Sequence, residues 1–161
     1  MKKKHIVILG AGFGGVYCAR QLEKLISRRN DIEITLVNKE NFFLFTPMLH
    51  EVAASDLSPT HIVSPIQKLL KRTNFFCGNV DKINTQERKV ILSHGNEHHS
   101  HEVPYDHLVL SLGSVTHFYN LPGLEENALT MRSLGDALSL RNRIIAMMEE
   151  ANFECCKAIR S

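Results

Sequence analysis

Three glycines near the N-terminus have the spacing of a loop that binds a nucleotide diphosphate. Gly10, Gly12 and Gly15 form a G-x-G-x-x-G pattern that directly follows a short apolar segment. In such a loop the first glycine permits a tight turn, the second lets the backbone approach a pyrophosphate, and the third lets the next helix lie close to the strand. Phosphate oxygens then meet the N–H groups at the start of that helix. The alternative is that the glycines serve only a tight turn.

A second candidate position lies where the ribose of such a nucleotide would be bound. Sites of this kind usually have an Asp or Glu about 20 residues after the glycines, and this chain has Asn38 there, followed by Lys39. The Asn38 amide can accept a hydroxyl proton but lacks the charge that strengthens such a bond. We expect Asn38 to contact the ribose, with Glu40 as the alternative partner. Because an ionised Asp would add charge to that contact, Asn38→Asp would strengthen nucleotide binding by about 1 kcal/mol. The alternative is an ordinary turn residue at a strand end.

The elements around these residues follow from the spacing of apolar side chains. Residues 5–9 and 33–37 read as strands, and the helix between them is expected to end near residues 28–30. This strand–helix–strand unit should be parallel with a right-handed crossover. In the later part of the chain, Pro47 is expected to keep the apolar segment at 41–48 from continuing as a helix, and further strands are expected at 75–77, 80–83, 89–92 and 108–112. A helix should begin at Ser64 and Pro65, with a buried stripe of Ile66, Leu69 and Leu70. A last helix should be capped by Ser133 and Asp136, with a stripe of Ala137, Leu138, Ile144, Ile145 and Met148.

The strand pair at 80–92 should be antiparallel, and strand 108–112 should be buried on both faces. The sequence therefore predicts an α/β fold: a Rossmann-like doubly wound parallel sheet with a small antiparallel β insertion.

Composition excludes several other classes of function. The chain has 161 residues, enough for one domain with a core, and its formal charge of +2 carries no signal for nucleic-acid binding. No apolar run approaches the roughly 20 residues of a membrane span, and no segment resembles a signal peptide. We therefore expect a cytoplasmic protein with no transmembrane segment.

Cysteines and histidines are the remaining candidates for site chemistry. The four cysteines lack both metal spacing and a disulfide pattern. Cys18 and Cys77 are expected to pack as small hydrophobes, and the adjacent pair Cys155–Cys156 could bridge only with strain. The histidines at 94, 98, 99 and 101 lie in a polar segment, residues 93–102, which we expect to be a surface loop and not a metal site.

Taken together, several segments resemble the type II (alternative) NADH dehydrogenases, the single-chain NADH:quinone oxidoreductases. They are IVILGAGFGG (residues 6–15), NFFLFTPML (41–49) followed by EVA (51–53), YDHLVLSLGS (105–114), LPG (121–123) and DAL (136–138). The phenylalanine-rich segment with its Thr-Pro pair is the most specific of these. The resemblance covers nearly the whole chain but only the first part of a family member.

The resemblance implies FAD as the cofactor, with its pyrophosphate on the glycine loop. It also implies that Thr46 and Pro47 lie beside the isoalloxazine, that the Val80 backbone faces the adenine, and that Ser111 and Gly113 pass near the flavin phosphates. No residue is assigned a catalytic role. The complete predicted cofactor-binding set is Gly10, Gly12, Phe13, Gly14, Gly15, Asn38, Lys39, Thr46, Pro47, Val80, Ser111 and Gly113.

In the complete enzyme, electrons would pass from NADH through FAD to a quinone at the inner face of the membrane. We expect residues 1–133 to be the first part of the FAD-binding domain, and residues 134–161 to be a helix that leads toward an NADH-binding domain. That domain, a later FAD-contacting segment and membrane-binding helices would follow residue 161 or be supplied by another chain. Without them, the last helix should expose apolar surface and favour self-association. The alternatives are a non-catalytic nucleotide-binding module and a short NAD(P)-binding dehydrogenase.

Overall fold

The computed structural model describes residues 3–95 and 99–153. The strands are β1 (Lys4–Leu9), β2 (Ile32–Asn38), β3 (Phe42–Leu44), β4 (Val63–Pro65), β5 (Asn74–Cys77), β6 (Asn79–Asn84), β7 (Lys89–His94), β8 (His99–Pro104) and β9 (His107–Leu110). The helices are α1 (Phe13–Leu25), α2 (Leu49–Ala53), α3 (Ile66–Leu69), α4 (Leu124–Asn127) and α5 (Leu134–Phe153), with short 3-10 turns at Thr46–Met48 and Pro59–His61. The chain divides into a first compact unit, Met1–Phe43 with Ser64–Ser114, and a second unit, Leu44–Val63 with Val115–Ser161.

A four-stranded parallel sheet in the order β5-β2-β1-β9 forms the centre of the first unit. On one face, Ile8 and Leu36 are buried in a cluster with Val16 and Ala19 of α1. On the other face, alternate residues of the same strands are buried against the antiparallel sheet β6-β7-β8. Because β1 is covered on both sides, its apolar side chains run without interruption. The predicted Rossmann-like fold with an antiparallel insertion is confirmed.

Helix α1 follows the glycine loop as predicted, but it ends at Leu25, before the expected residues 28–30. The guanidinium group of Arg72 lies at this end and donates to the carbonyl oxygens of Ile26, Ser27 and Arg29. Those carbonyl groups are therefore satisfied by a side chain 43 to 46 positions away in sequence, in place of further helical turns.

A carboxylate of α1 holds the segment that leads into β5. Glu23 Oε1 accepts hydrogen bonds from the backbone N–H groups of Lys71, Arg72 and Thr73 and from the Thr73 hydroxyl, at 2.7–2.9 Å. Burial raises the pKa of the Glu23 carboxyl, but the bonds from Arg72, Thr73 and Lys71 outweigh burial, so its pKa lies below the usual value. The contact fixes where β5 enters the sheet, and with it the turn that follows β5.

We expect Glu23→Ala to lower the free energy of unfolding by about 2 kcal/mol at neutral pH, because several hydrogen bonds to a charged group are lost. The folded-state pKa is depressed, so this contribution is present above the pKa of the unfolded carboxyl and disappears as pH falls through the lower folded-state value. Urea denaturation of both proteins at pH 7 and pH 3 measures it. Glu149→Ala, at an exposed position of α5, is the control. Equal losses for the two variants would contradict the role of Glu23.

The antiparallel sheet has one strand more than the sequence predicts. The pairing of β6 with β7 is confirmed, but β8 continues it, with Val103 opposite Val90 and His101 opposite Leu92. The expectation of a surface loop over residues 93–102 is therefore wrong, although residues 96–98 lie outside the described chain. Val103 is the only strongly apolar residue in β8, so the segment has no period-two apolar signal.

Two further expectations are corrected in the first unit. Strand β9 was expected to be buried on both faces, but Leu108 and Val109 are only partly buried there and Leu110 is 63% exposed. The strand forms the edge of the parallel sheet over the described residues. Ser64 does not begin a helix; it lies in β4, and α3 starts only at Ile66 with Pro65 in the N-cap position. Ile66 and Leu70 are buried as predicted, with Leu69 partly so.

In the second unit, the predicted capping of the last helix is confirmed. Ser133 Oγ accepts from the Asp136 N–H, and the Asp136 carboxylate accepts from the Ser133 N–H, each at 3.1 Å. Bonds from the Arg132 and Ser133 N–H groups and from the Thr130 hydroxyl lower the pKa of Asp136 to about 2.

The rest of α5 departs from its expected stripe. Its start packs on α2, where Ala137 is buried with Leu49 and Val52. Farther along, Ile144 and Ile145 are each 44% exposed and Met148 is 69% exposed. Only the first part of the predicted stripe is therefore covered.

Candidate functional site

The glycine loop joins the end of β1 to the start of α1 at the carboxyl edge of the parallel sheet. Gly10 has φ +95°, in the left-handed region, and a side chain there would collide with the carbonyl oxygen of Ser111. The Gly10 N–H donates to the Val37 carbonyl at 2.8 Å. The loop is thus held from both neighbouring strands, β2 and β9, and only glycine fits its first position.

The second and third glycines differ in the space that the protein leaves for a side chain. A Cβ at Gly15 would overlap the Gly10 carbonyl oxygen and lie 2.7 Å from Ser111 Oγ, so Gly15 is needed for the helix to pack on the strand. At Gly12, no heavy atom of the described chain lies within 4 Å of an added Cβ, and φ is −74°, which any residue can adopt. The fold itself does not require glycine at position 12. The open space beside it is what a ligand approaching the backbone would need.

The start of α1 supplies a positive electrostatic environment next to that space. The Val16 N–H makes a helical bond to the Gly12 carbonyl at 3.0 Å, so the N–H groups of Gly14 and Gly15 belong to the first turn. This turn has no acidic side chain. The helix dipole therefore places partial positive charge at the loop without a protein anion to neutralise it, which suits a phosphate.

Ser111 has a role that the sequence did not indicate. Its hydroxyl lies 2.8 Å from the Leu9 carbonyl oxygen and 2.9 Å from that of Gly10, and donates to them. Its own N–H also donates to the Leu9 carbonyl at 2.8 Å. Ser111 thus ties the segment after β9 to the glycine loop. The sequence alone does not indicate this contact, because the partners are about 100 positions apart. Any small residue at position 111 would be equally compatible with the apolar run around it.

A cavity of about 210 Å³ opens beside the loop, between the ends of β2, β5 and β9. Sites for whole small molecules are usually about 300–1,000 Å³, so this volume suits one part of a dinucleotide. Its lining consists of four predicted residues, Gly10, Asn38, Lys39 and Val80, and four others, Val37, Gly78, Asn79 and Leu112. One signal could have found Gly78 and Asn79: they directly follow a predicted parallel strand, and the carboxyl ends of parallel strands meet at one edge of the sheet.

The side chain of Asn38 is bonded within the protein at both ends. Its Oδ1 accepts from the Ala11 N–H at 3.0 Å, and its Nδ2 donates to the Glu40 carbonyl at 2.9 Å. Its backbone carbonyl also accepts from the Gly78 N–H at 2.9 Å. The ribose contact expected at this position stays a prediction, and Oδ1 retains a second lone pair for it.

The other predicted residues are distributed over both units. Phe13 is 37% exposed and packs edge-on against Phe43 at 5.1 Å between ring centroids. Gly113 has φ +78° and lies in the first unit, beyond β9. Thr46 and Pro47 are exposed in a 3-10 turn of the second unit. Helix α2 follows this turn directly at Leu49, so the expectation that Pro47 prevents helix here is wrong, because proline is tolerated at the start of a helix.

A larger cavity of about 430 Å³ lies in the second unit. It is formed by one surface segment, Thr116 to Glu126, which includes the start of α4. Neither a glycine loop nor the end of a parallel strand contributes to it. The smaller cavity beside the glycine loop is therefore the better candidate site.

The cysteines and histidines do not form a metal centre in the part of the chain described. Among residues 3–95 and 99–153, no three His, Cys, Asp or Glu side chains come close enough to hold an ion. His94 and His101 stack in parallel on one face of the β7–β8 hairpin, at 4.7 Å between ring centroids. Cys18 packs partly buried in α1, but Cys77 is exposed, which corrects its expected burial. Cys155 and Cys156 lie outside the described residues.

Comparison with known proteins agrees with this α/β fold. The family model described as pyridine nucleotide-disulphide oxidoreductase matches residues 4–148. The fold is thus of the Rossmann-like class found in flavin- and nicotinamide-dependent oxidoreductases. The chain belongs to the pyridine nucleotide-disulphide oxidoreductase family.

Curated relatives confirm the resemblance to type II NADH dehydrogenases. The type II NADH:quinone oxidoreductase Ndh of Mycobacterium tuberculosis is 31% identical over 93% of this chain and 32% of its own length. The demethylphylloquinone reductase NdbB of Synechocystis is 34% identical over 94% and 38%. The external alternative NADH-ubiquinone oxidoreductase of Yarrowia lipolytica is 27% identical over 94% and 27%. The chain therefore spans about a quarter to two fifths of the length of these relatives.

Solved structures show the same fold. NDH2 of Plasmodium falciparum in complex with NADH superposes with a TM-score of 0.83 at 22% identity, over 99% of this chain and 32% of that one. The sulfide:quinone oxidoreductase of Aquifex aeolicus gives 0.76 at 25% identity, over 89% and 32%. Among residues 3–95 and 99–153, none of the helices combines the length and apolar character needed to cross a bilayer.

Proposed function

We propose that the chain binds FAD at the glycine loop and the adjoining cavity. One observation carries this proposal: Gly12 is glycine where the protein's own packing has room for a side chain, and it stands at a helix start free of acidic groups. An approaching pyrophosphate accounts for that choice of residue. The residues present fit the group, because the cavity next to the loop is lined by backbone and by neutral or positively charged side chains.

Each part of the cofactor has candidate partners among the predicted residues. The backbone from Gly12 to Gly15 would hold the pyrophosphate, and Gly113, whose Cβ direction is also open, would lie near the same phosphates. Asn38 and Lys39 would adjoin the ribose, with Val80 toward the adenine. By resemblance to the family, Phe13 and Ser111 would lie around the loop, and Thr46 and Pro47 would lie beside the isoalloxazine.

The reaction of the complete enzyme is proposed from the family. When bound, the flavin would supply the two-electron chemistry by which hydride from NADH is passed on to a quinone. The residues of this chain bind and orient the flavin, and none is assigned to proton transfer or nucleophilic attack. The nicotinamide and quinone sites would lie in parts of the complete enzyme that this chain does not match in its relatives, with the enzyme peripheral on the cytoplasmic side of a membrane. In the complete enzyme, its other parts would cover the exposed apolar side chains of α5. Without those parts, these side chains would favour self-association of the chain.

Titration of the apo-chain with FAD tests the proposal. Flavin fluorescence and absorbance should change to a saturating one-to-one complex. NAD⁺ and NADP⁺ serve as competitors, because a short NAD(P)-binding dehydrogenase would use the same loop for those nucleotides. Preferential displacement by either of them, or no flavin signal at all, would contradict the FAD assignment.

A further inference from the structure

The Asn38 side chain connects two segments that line the nucleotide cavity. Its Oδ1 faces a donor, the Ala11 N–H of the glycine loop, and its Nδ2 faces an acceptor, the Glu40 carbonyl of the turn after β2. Because one partner is a donor and the other an acceptor, the amide is oriented with its oxygen toward Ala11 and its nitrogen toward Glu40. The bridge therefore requires an acceptor at one end and a donor at the other.

The backbone of the same residue connects a third segment. The Asn38 carbonyl accepts from the Gly78 N–H at 2.9 Å, and the preceding carbonyl, that of Val37, accepts from the Gly10 N–H at 2.8 Å. The glycine loop, the turn after β2 and the turn after β5 thus all meet at the last two residues of β2. Residues from all three segments line the cavity of about 210 Å³.

We propose that Asn38 is a positioning residue, whose amide holds the glycine loop against the turn after β2 in the geometry that FAD binding needs. The inference rests on the proposed FAD site. Related sites commonly use a carboxylate at this position to accept the ribose hydroxyls. An ionised carboxylate has acceptors only. It could keep the bond from Ala11, but its second oxygen would face the Glu40 carbonyl, where two oxygens repel.

In contrast to the strengthening expected from the sequence alone, Asn38→Asp should therefore weaken FAD binding about tenfold at pH 8, because the hydrogen bond to the Glu40 carbonyl is replaced by repulsion. The loss should shrink as pH falls toward the range in which a carboxyl group takes up its proton, since a protonated Asp regains an O–H donor for Glu40. A carboxylate that served the ribose would give the opposite result: tighter binding than wild type, improving as pH rises. The sign of the pH dependence separates the two roles.

Other titratable or charged groups lie on the elements packed around Asn38 and are common to all variants. They are Lys39 and Glu40 in the turn, Cys77 at the end of β5, whose thiol lies 3.4 Å from the Lys39 carbonyl, and Asp81 and Lys82 on β6. Asp81 is bonded to the Ser93 hydroxyl at 3.0 Å. The pH dependence of FAD binding is therefore measured in parallel for wild type and for Asn79→Asp, which places the same charge in the same cavity. Any pH effect of the surrounding groups appears in these proteins too and can be subtracted.

The experiment measures the Kd of FAD for wild type, Asn38→Asp and Asn79→Asp from about pH 4, near the ordinary pKa of an Asp carboxyl, to pH 8. Selective weakening of Asn38→Asp at high pH, with recovery at low pH, supports the proposal. Tighter or unchanged binding by Asn38→Asp overturns it, as does an equal loss with the same pH dependence in Asn79→Asp.

A second measurement does not depend on FAD. In the apo-chain, the Ala11 amide should be protected from hydrogen exchange in wild type and lose that protection in Asn38→Ala, while the Gly10 amide, bonded to Val37, stays protected. Unchanged protection of Ala11 overturns the positioning role. Local loss of protection in a chain that takes up no FAD would uphold the bridge and refute the proposed function.

Discussion

The Gly12→Val chain should fold like wild type and fail to bind FAD. The backbone at Gly12 has φ −74°, and no heavy atom of the described chain lies within 4 Å of an added Cβ, so valine fits the protein. The same side chain occupies the space through which a pyrophosphate must reach the loop backbone. Circular dichroism and urea denaturation check the fold, and flavin fluorescence titration checks binding.

Two other glycines give the matched controls. Gly15→Val should lose folding as well as binding, because its side chain would overlap the Gly10 carbonyl oxygen. Gly135→Val, in the first turn of α5, should keep both, since an added Cβ there would make only an ordinary contact with Ser133 Oγ at 3.7 Å. If Gly12→Val took up FAD as well as wild type does, the site would lie elsewhere.

The wild-type chain loaded with FAD should not be reduced by NADH within seconds. Hydride transfer needs the nicotinamide at about 3–3.5 Å from its acceptor atom, held there by binding contacts. The sequence contains a single G-x-G-x-x-G cluster, and the glycines after it, at 78, 95, 113, 123 and 135, are isolated. With that loop occupied by FAD, the chain offers no second loop of this kind for NADH.

Anaerobic mixing with NADH in a stopped-flow spectrophotometer measures this reaction through the flavin absorbance. Dithionite, which needs no nucleotide site, should bleach the same sample and show that the bound flavin can be reduced. Free FAD with NADH gives the background rate. Bleaching well above that background within seconds would mean that these 161 residues contain a complete hydride-transfer site.

Local patterns in the sequence were enough to predict much of the fold. Strands β1 and β2, the glycine loop with α1, and the reciprocal cap of Ser133 and Asp136 were predicted near their observed positions. Each depends on interactions within a few residues, or on an apolar period that a buried element requires. Such signals are missing at β8, where a single valine marks the inner face, and misleading at β9, where an apolar run is half exposed at a sheet edge.

By itself, the sequence determined which residue types could hold a nucleotide: the spaced glycines, and an amide in place of a carboxylate at position 38. Only the tertiary structure decided how they are used. It placed Ser111 against the glycine loop, bonded both ends of the Asn38 amide, and brought Gly78 and Asn79 into the cavity. The physical reason is that parallel strands distant in sequence bring their carboxyl ends to one edge of the sheet, and no local pattern records which backbone groups meet there.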